Sequence, residues 1–166
     1  MRWAILTDKL PTTITVGKVS FELDVKTSTA LNCIRKLRED IADEIKVMYV
    51  TKRLGLPTNC FDNALWFLTG PNEVKGKGSP SFDYFQDANL IYSAFQQAYG
   101  LSLDEVTSMH WWRFLALLEG LPSGTRFMDV VSIRTMEIDP KDSQEVKLRK
   151  LKAKNAVALK SSKMEW

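Results

Sequence analysis

One histidine and two cysteines in 166 residues leave little material for metal or redox chemistry. Cys33 and Cys60 share no ligand spacing, and with His110 as the only imidazole a zinc site is not expected. The low thiol count suits a reducing cytoplasm and is compatible with either free thiols or one bridge. No run of eighteen apolar residues occurs, so no membrane span is expected. The N-terminus has Arg2 and then a short apolar run broken by Thr7 and Asp8, which is not the pattern of a signal peptide. There is no GxSxG, no internal repeat and no low-complexity tract. Polar side chains are too few and too scattered to name a reaction, and we expect no enzyme, no cofactor and no metal.

What is present is an ordinary globular composition, 45% hydrophobic and 26% charged. The length fits one domain with a sizeable core. The net charge of +3 is uneven: residues 141–163 carry +6 and the remainder −3. The chain is a slightly acidic body with a basic tail. We therefore expect a mainly α, single compact helical domain of about six helices with an N-terminal β-hairpin. Residues 1–139 would form that domain, and 140–166 a basic C-terminal helix and frayed tail.

The stretch Ser108–Gly120 organises the rest. Trp111, Trp112, Phe114, Leu115, Ala116, Leu117 and Leu118 are interrupted only by Arg113 and Glu119. A helix apolar all round is buried on several sides, and three turns are too short to cross a bilayer. Ser108 is expected to cap it and Gly120 to end it in the left-handed conformation.

Upstream, residues 12–25 alternate apolar and polar on two arms around Gly17-Lys18, which predicts a hairpin. Ala30, Ile34, Leu37, Ile41, Ile45 and Met48 recur at helical spacing and predict a helix over 27–53, capped by Thr27 or Ser28, with a possible break near Asp40. It stops at Gly55-Leu56-Pro57. A shorter helix over 60–69 follows, capped by Asn59, with Phe61, Leu65 and Leu68 inward beside Ala64. Residues 70–81 hold three glycines and two prolines and read as a surface loop; Lys75 and Lys77 lack the ending of a phosphate-binding loop.

An aromatic stripe (Phe82, Phe85, Ile91, Tyr92, Phe95, Tyr99) predicts a helix over 82–99, capped by Ser81 and ended by Gly100. A short link at 101–103 would lay that stripe on Trp111 and Trp112. A helix over 125–134, with Phe127, Val130 and Val131 inward, follows the turn 121–124. The last helix is expected to start at Asp139-Pro140, with a weak stripe of Val146, Leu148 and Leu151.

Six residues invite a functional question. His110 as a general base lacks a nucleophile and an orienting carboxylate, so a structural hydrogen bond at the start of the central helix is the better reading. Trp111 and Trp112 as a base-stacking platform would need interleaved Lys and Arg; their neighbours are Leu, Ala and Phe, which favours core. Arg113 on a buried helix needs a partner, because an unpaired buried charge is costly. Asp87 is its first candidate and Asp129 its second; a contact to a partner protein is the alternative. Arg134 raises the same question. The basic tail suits phosphate contacts less well than a solvated face or a protein-binding arm.

The order of these signals resembles a family of tailed-phage and prophage proteins, the bacteriophage gene-product-fifteen family. The residues that carry the resemblance run from Phe82 to Arg134: Asp87-Ala88, Ile91-Tyr92, Ala94-Phe95, Tyr99-Gly100, Leu103, His110-Trp111-Trp112, Phe114, Ala116-Leu117-Leu118, Leu121, Thr125 and Arg134. Leu6-Thr7-Asp8, Leu10-Pro11, the hairpin and Ala64-Leu65-Trp66-Phe67 are similar too.

The resemblance implies a gene just ahead of the tape-measure gene, the slot of tail assembly chaperones, often made as a frameshifted pair. Such proteins keep the helical tape-measure protein soluble in the host cytoplasm until the tail tube polymerises around it, and are absent from the finished virion. It implies no catalytic residue. The partners expected are the tape-measure protein, tail proteins and further copies of the chain, with no membrane. Met48, Met109, Met128 and Met136 would suit an adaptable groove, and equally a core. The alternatives are a structural tail component retained in the virion, such as a connector or completion subunit, and a nucleic-acid binder using the basic tail.

Overall fold

The computed structural model describes residues 9–70 and 81–160. The expectations for the loop at 71–80, including Lys75 and Lys77, for Leu6-Thr7-Asp8 and for the last six residues lie outside the described residues. Among those described, the chain is mainly α: eight α-helices, a 3₁₀ turn and one two-stranded antiparallel hairpin. Two helices beyond the expected six arise because the long N-terminal helix breaks and because the link before the central helix is itself helical. None of the described helices is long and apolar enough to cross a membrane. The chain divides into two compact units, residues 1–76 with 102–119 and residues 77–101 with 120–166.

The first unit begins with β1 (Thr13–Val16) and β2 (Val19–Glu22), paired Val16 to Val19 across Gly17-Lys18. Gly17 takes the positive φ of 64° that such a tight turn demands. A lone hairpin is marginal in water. This one is anchored by buried Ile14 and Leu23 and by the Asp24 amide donating to the Leu54 carbonyl. Helices α1 (Thr27–Leu37) and α2 (Asp43–Leu54) follow. Neither Thr27 nor Ser28 caps α1. The cap position is Lys26, without a side-chain bond, because the Thr27 hydroxyl donates instead to the Met109 carbonyl.

The chain breaks at 38–42, and Asp43 and Glu44 then sit in the first turn of α2, where negative charge suits the helix dipole. That break rotates the stripe. Ile45 and Met48, expected inside, are exposed, and α2 buries Val50, Thr51 and Leu54. After a 3₁₀ turn (Thr58–Cys60), α3 (Phe61–Thr69) buries Ala64, Phe67 and Leu68. Phe61 and Leu65 are only half-buried, and Asn59 makes no capping bond to α3, whose cap position is Cys60.

α5 (Leu103–Ser108) and α6 (Trp111–Glu119) complete the unit, and α1 packs on α2, α5 and α6. Ser108 does not cap the central helix: it is the last residue of α5, and its hydroxyl donates to the Asp104 carbonyl.

In the second unit, α4 (Ala88–Tyr99) starts six residues later than the aromatic stripe suggests. Asp83 explains the delay. Its carboxylate accepts from the amides of Phe85 and Gln86, holding residues 84–87 in turns, a local alternative that aspartate offers the backbone. Ser81 is therefore not the cap. α7 (Arg126–Thr135) is capped by Thr125, which accepts from the Met128 amide. Gly100 and Gly124 hold positive φ, whereas Gly120 does not. α8 (Gln144–Ala156) is capped by Ser143, not Asp139, whose carboxylate is engaged with the Lys141 amide in a turn. No residue of α8 is buried, and the weak stripe faces solvent at Leu148 and Leu151.

Candidate functional site

The centre of the first unit is the run His110-Trp111-Trp112. It is placed by backbone pairing with the segment that leads into α1. Residues Lys26 and His110 form an isolated antiparallel bridge, the Trp111 amide donates to the Val25 carbonyl at 2.7 Å, and the Thr27 amide donates to the Met109 carbonyl at 2.9 Å. Both indoles are enclosed, at 0% and 1% exposure. Trp111 Nε1 donates to the Leu68 carbonyl at 2.9 Å and Trp112 Nε1 to the Phe67 carbonyl at 2.8 Å. These are carbonyls in the last turn of α3, which lack helical partners. Two consecutive side chains on one helix thus close two consecutive open acceptors on another. A base-stacking role for Trp111 and Trp112 is ruled out by this enclosure.

His110 acts as expected, through structural hydrogen bonds. Nδ1 accepts from the Trp112 amide at 3.1 Å, capping α6, and Nε2 therefore carries the proton and donates to the Pro11 carbonyl at 3.0 Å. Burial lowers its pKa below the ordinary histidine value, against the opposing effect of the Pro11 carbonyl. The ring stands edge-on to Phe67 and Trp112. Both nitrogens are committed to backbone groups, so a proton shuttle through this ring would cost α6 its cap.

Arg113 corrects the expectation. It faces solvent, so the requirement for a buried counter-charge does not apply to it. Its charge lies near Glu105, whose pKa is lowered chiefly by hydrogen bonds from the Ser102 amide and hydroxyl, with Arg113 a lesser influence. Asp87 instead belongs to Arg134, within the second unit. The Arg134 guanidinium donates to Asp87 Oδ2 at 2.6 Å and Oδ1 at 2.9 Å, with the two side chains 11% and 4% exposed. Arg134 also donates to the carbonyls of Val157 and Ser81, and Asp87 accepts from the Asp83 amide. One guanidinium thereby joins the start of α4, the end of α7 and the chain after α8. Gln86 adds a two-way clasp to the same segment after α8: its amide donates to the Lys160 carbonyl and accepts from the Lys160 amide. Asp129, the second candidate partner, is exposed.

Among the described residues, no group of three His, Cys, Asp or Glu side chains could hold a metal. Cys33 and Cys60 are buried and free, and burial pushes the Cys33 thiol up to about 12, far from a reactive thiolate. What the chain does present is apolar side chains in solvent: Ile45 and Met48 on α2, Trp66 on α3, and Leu148 (54% exposed) and Leu151 (46% exposed) on α8. Sequence reasoning placed the α2 and α8 residues inward, and did not treat Trp66 separately. It also missed α5, although Ser102 and Glu105 spell a capping box in the plain sequence, and the structure has both of its bonds.

A family model described as Bacteriophage Gp15 protein matches residues 6–159. No curated protein and no solved structure matches the chain.

Proposed function

The chain belongs to the bacteriophage Gp15 protein family, and from that premise we propose that it is a tail assembly chaperone. In this reading it binds the tape-measure protein in the host cytoplasm during tail morphogenesis and works by protein contact, not catalysis. The observation that carries the reading is α8. A helix with no buried residue retains Leu148 and Leu151 on one face, three residues apart, among Lys147, Arg149, Lys150, Lys152 and Lys154. Exposed leucines on a basic helix suit an amphipathic partner helix that offers an apolar stripe edged with acidic residues. In this reading the long helical tape-measure protein is the partner that offers such stripes. Ile45 and Met48, likewise three residues apart on α2, give the first unit a second contact of similar chemistry.

Co-expression with the phage's own tape-measure protein tests this. The expected result is a soluble tape-measure protein that co-purifies with the chain. Leu148→Glu with Leu151→Glu, both at solvent-exposed positions, is expected to cut co-purification about tenfold or more while leaving the fold intact. A tape-measure protein that aggregates equally with and without this chain overturns the proposal. Mass spectrometry of purified virions separates it from a structural subunit: a chaperone is absent, whereas stoichiometric presence points to a connector or completion role.

A further inference from the structure

We infer that α8 is a latched arm: Gln86 and Arg134 form a receptor for the chain's own segment 157–160, and α8 stays helical only while that segment is seated. The latch is built from contacts within the second unit and stands whether or not the chain is a chaperone.

α8 is turned inside out relative to an ordinary surface helix, which sets its apolar stripe on the body. Leu148 and Leu151 face solvent, whereas Lys147, Lys150 and Lys154, at helical spacings of three and four, are half-buried. Their ammonium groups donate to backbone carbonyls: Lys147 to Pro140 at 2.6 Å, Lys150 to Glu137 at 3.2 Å and Lys154 to Met136 at 2.8 Å. Met136 and Glu137 directly follow α7, where open carbonyls favour cations. Lys150 also pairs with Asp142 at 2.6 Å.

Such a helix does not stand alone. It has 13 residues, none of them buried, and isolated helices of that length are marginal in water. Its cations Lys147, Arg149, Lys150, Lys152 and Lys154 face the single carboxylate of Glu145. Lys150 lies one turn from both Lys147 and Lys154, and like charges at that spacing repel. Its order therefore depends on anchors at both ends. Ser143 caps the start, and the segment after the helix supplies the other anchor.

That second anchor is a receptor for backbone. Arg134, already fixed on Asp87, donates to the Val157 carbonyl. The Gln86 amide donates to the Lys160 carbonyl at 3.0 Å and accepts from the Lys160 amide at 2.8 Å. All three bonds go to the main chain, so the receptor holds the chain itself and not any side chain of 157–160. The seat is loosely filled: an open cleft of about 370 Å³ remains among Gln86, Leu90, Val130, Arg134, Val157 and Lys160. Leaving it gives up a few hydrogen bonds, each modest in water. Once it is left, α8 melts, and Leu148 and Leu151 no longer share a face. For a client that docks on those leucines, the latch is a control on binding; this consequence alone rests on the chaperone reading.

Hydrogen exchange of the full chain, with no client present, tests the latch. In the unmutated chain the amides of residues 148–156 should open together, at one common rate that is slower than in a free peptide and faster than in α6. Lys160→Ala keeps the backbone that Gln86 holds and should change nothing. Lys160→Pro removes the donated amide, and Gln86→Ala, at an exposed position, removes both bonds of the clasp. Each should speed exchange across all of α8 about tenfold or more, with α6 unchanged. The inference is overturned by α8 amides that exchange at free-peptide rates in the unmutated chain, or by rates graded from the C-terminal end inward, which mean simple fraying. It is overturned equally if Lys160→Pro leaves α8 as protected as before, or if Lys160→Ala opens it as far as Lys160→Pro does.

Discussion

Arg134 grips Asp87 with two parallel hydrogen bonds, and the pair is nearly closed off from water. Among the described residues, Arg134 is the cation paired with that carboxylate. Removing the guanidinium with Arg134→Met leaves a buried, uncompensated charge, which typically costs about 3–5 kcal/mol. Arg134→Lys should recover less than half of that, because one ammonium replaces a planar fork. In the double variant Arg134→Met with Asp87→Leu the loss should be clearly smaller than the sum of the two single losses. Urea unfolding of the four proteins checks it; strictly additive losses would show that the two side chains do not act as a pair.

The enclosed indoles make a second prediction. Trp111→Phe and Trp112→Phe each preserve a ring but leave a carbonyl of α3 without its donor. Each should lose about 1–3 kcal/mol for the unsatisfied acceptor, with a further loss for the smaller ring. Trp66→Phe, at a half-exposed ring stacked edge-on against Trp112, should lose under about 1 kcal/mol in the same unfolding assay.

His110 gives the stability a pH dependence. Its pKa is depressed in the folded chain from the ordinary 6.5. Well above pH 6.5 the ring is neutral both folded and unfolded and has no effect. As pH falls below 6.5 the unfolded chain takes up the proton first, so stability drops until the folded pKa is reached, and not further on this account. Protonation at Nδ1 also removes the acceptor that caps α6. His110→Asn, which keeps a capping oxygen, should flatten this part of the profile between pH 7.5 and 5. An unchanged slope in that variant would falsify the assignment.

Gly55 tests how tightly the hairpin and α2 meet. It ends α2 with φ 84°, and a Cβ there would stand 2.5 Å from the Glu22 carbonyl. Gly55→Ala combines left-handed strain with a backbone collision, so a loss above about 2 kcal/mol is expected. Gly124→Ala, also at positive φ but in open space, should lose only about 1 kcal/mol from the strain. Thermal melts of the two variants side by side separate the collision from the strain; equal losses would mean that the hairpin yields.

Much of the helical content was legible because the signals were local. Gly17-Lys18 marked the hairpin, Gly55 and Gly100 marked helix ends, and Thr125 marked a start. The enclosure of Trp111 and Trp112 followed from a run too apolar for solvent. The losses came where two local rules competed. At Asp83 a side-chain turn defeated a continuous aromatic stripe, and at 38–42 the period of the apolar residues continued through a break, so Ile45 and Met48 kept their spacing but not their direction. Partner choice was not legible at all. Asp87 was identified as the acceptor of a buried arginine, but Arg134 and Arg113 are indistinguishable until tertiary structure decides which of them leaves water.

The distribution of tryptophan has a practical consequence. Among the described residues, Trp66, Trp111 and Trp112 all lie in the first unit, while Tyr84, Tyr92 and Tyr99 are in the second. In a variant with Trp3→Phe and Trp166→Phe, indole emission therefore reports melting of the first unit, and phenol absorbance, to which Tyr49 of the first unit adds one ring of four, mostly reports the other. A single denaturation run, read at two wavelengths, can show whether the halves come apart together or in turn.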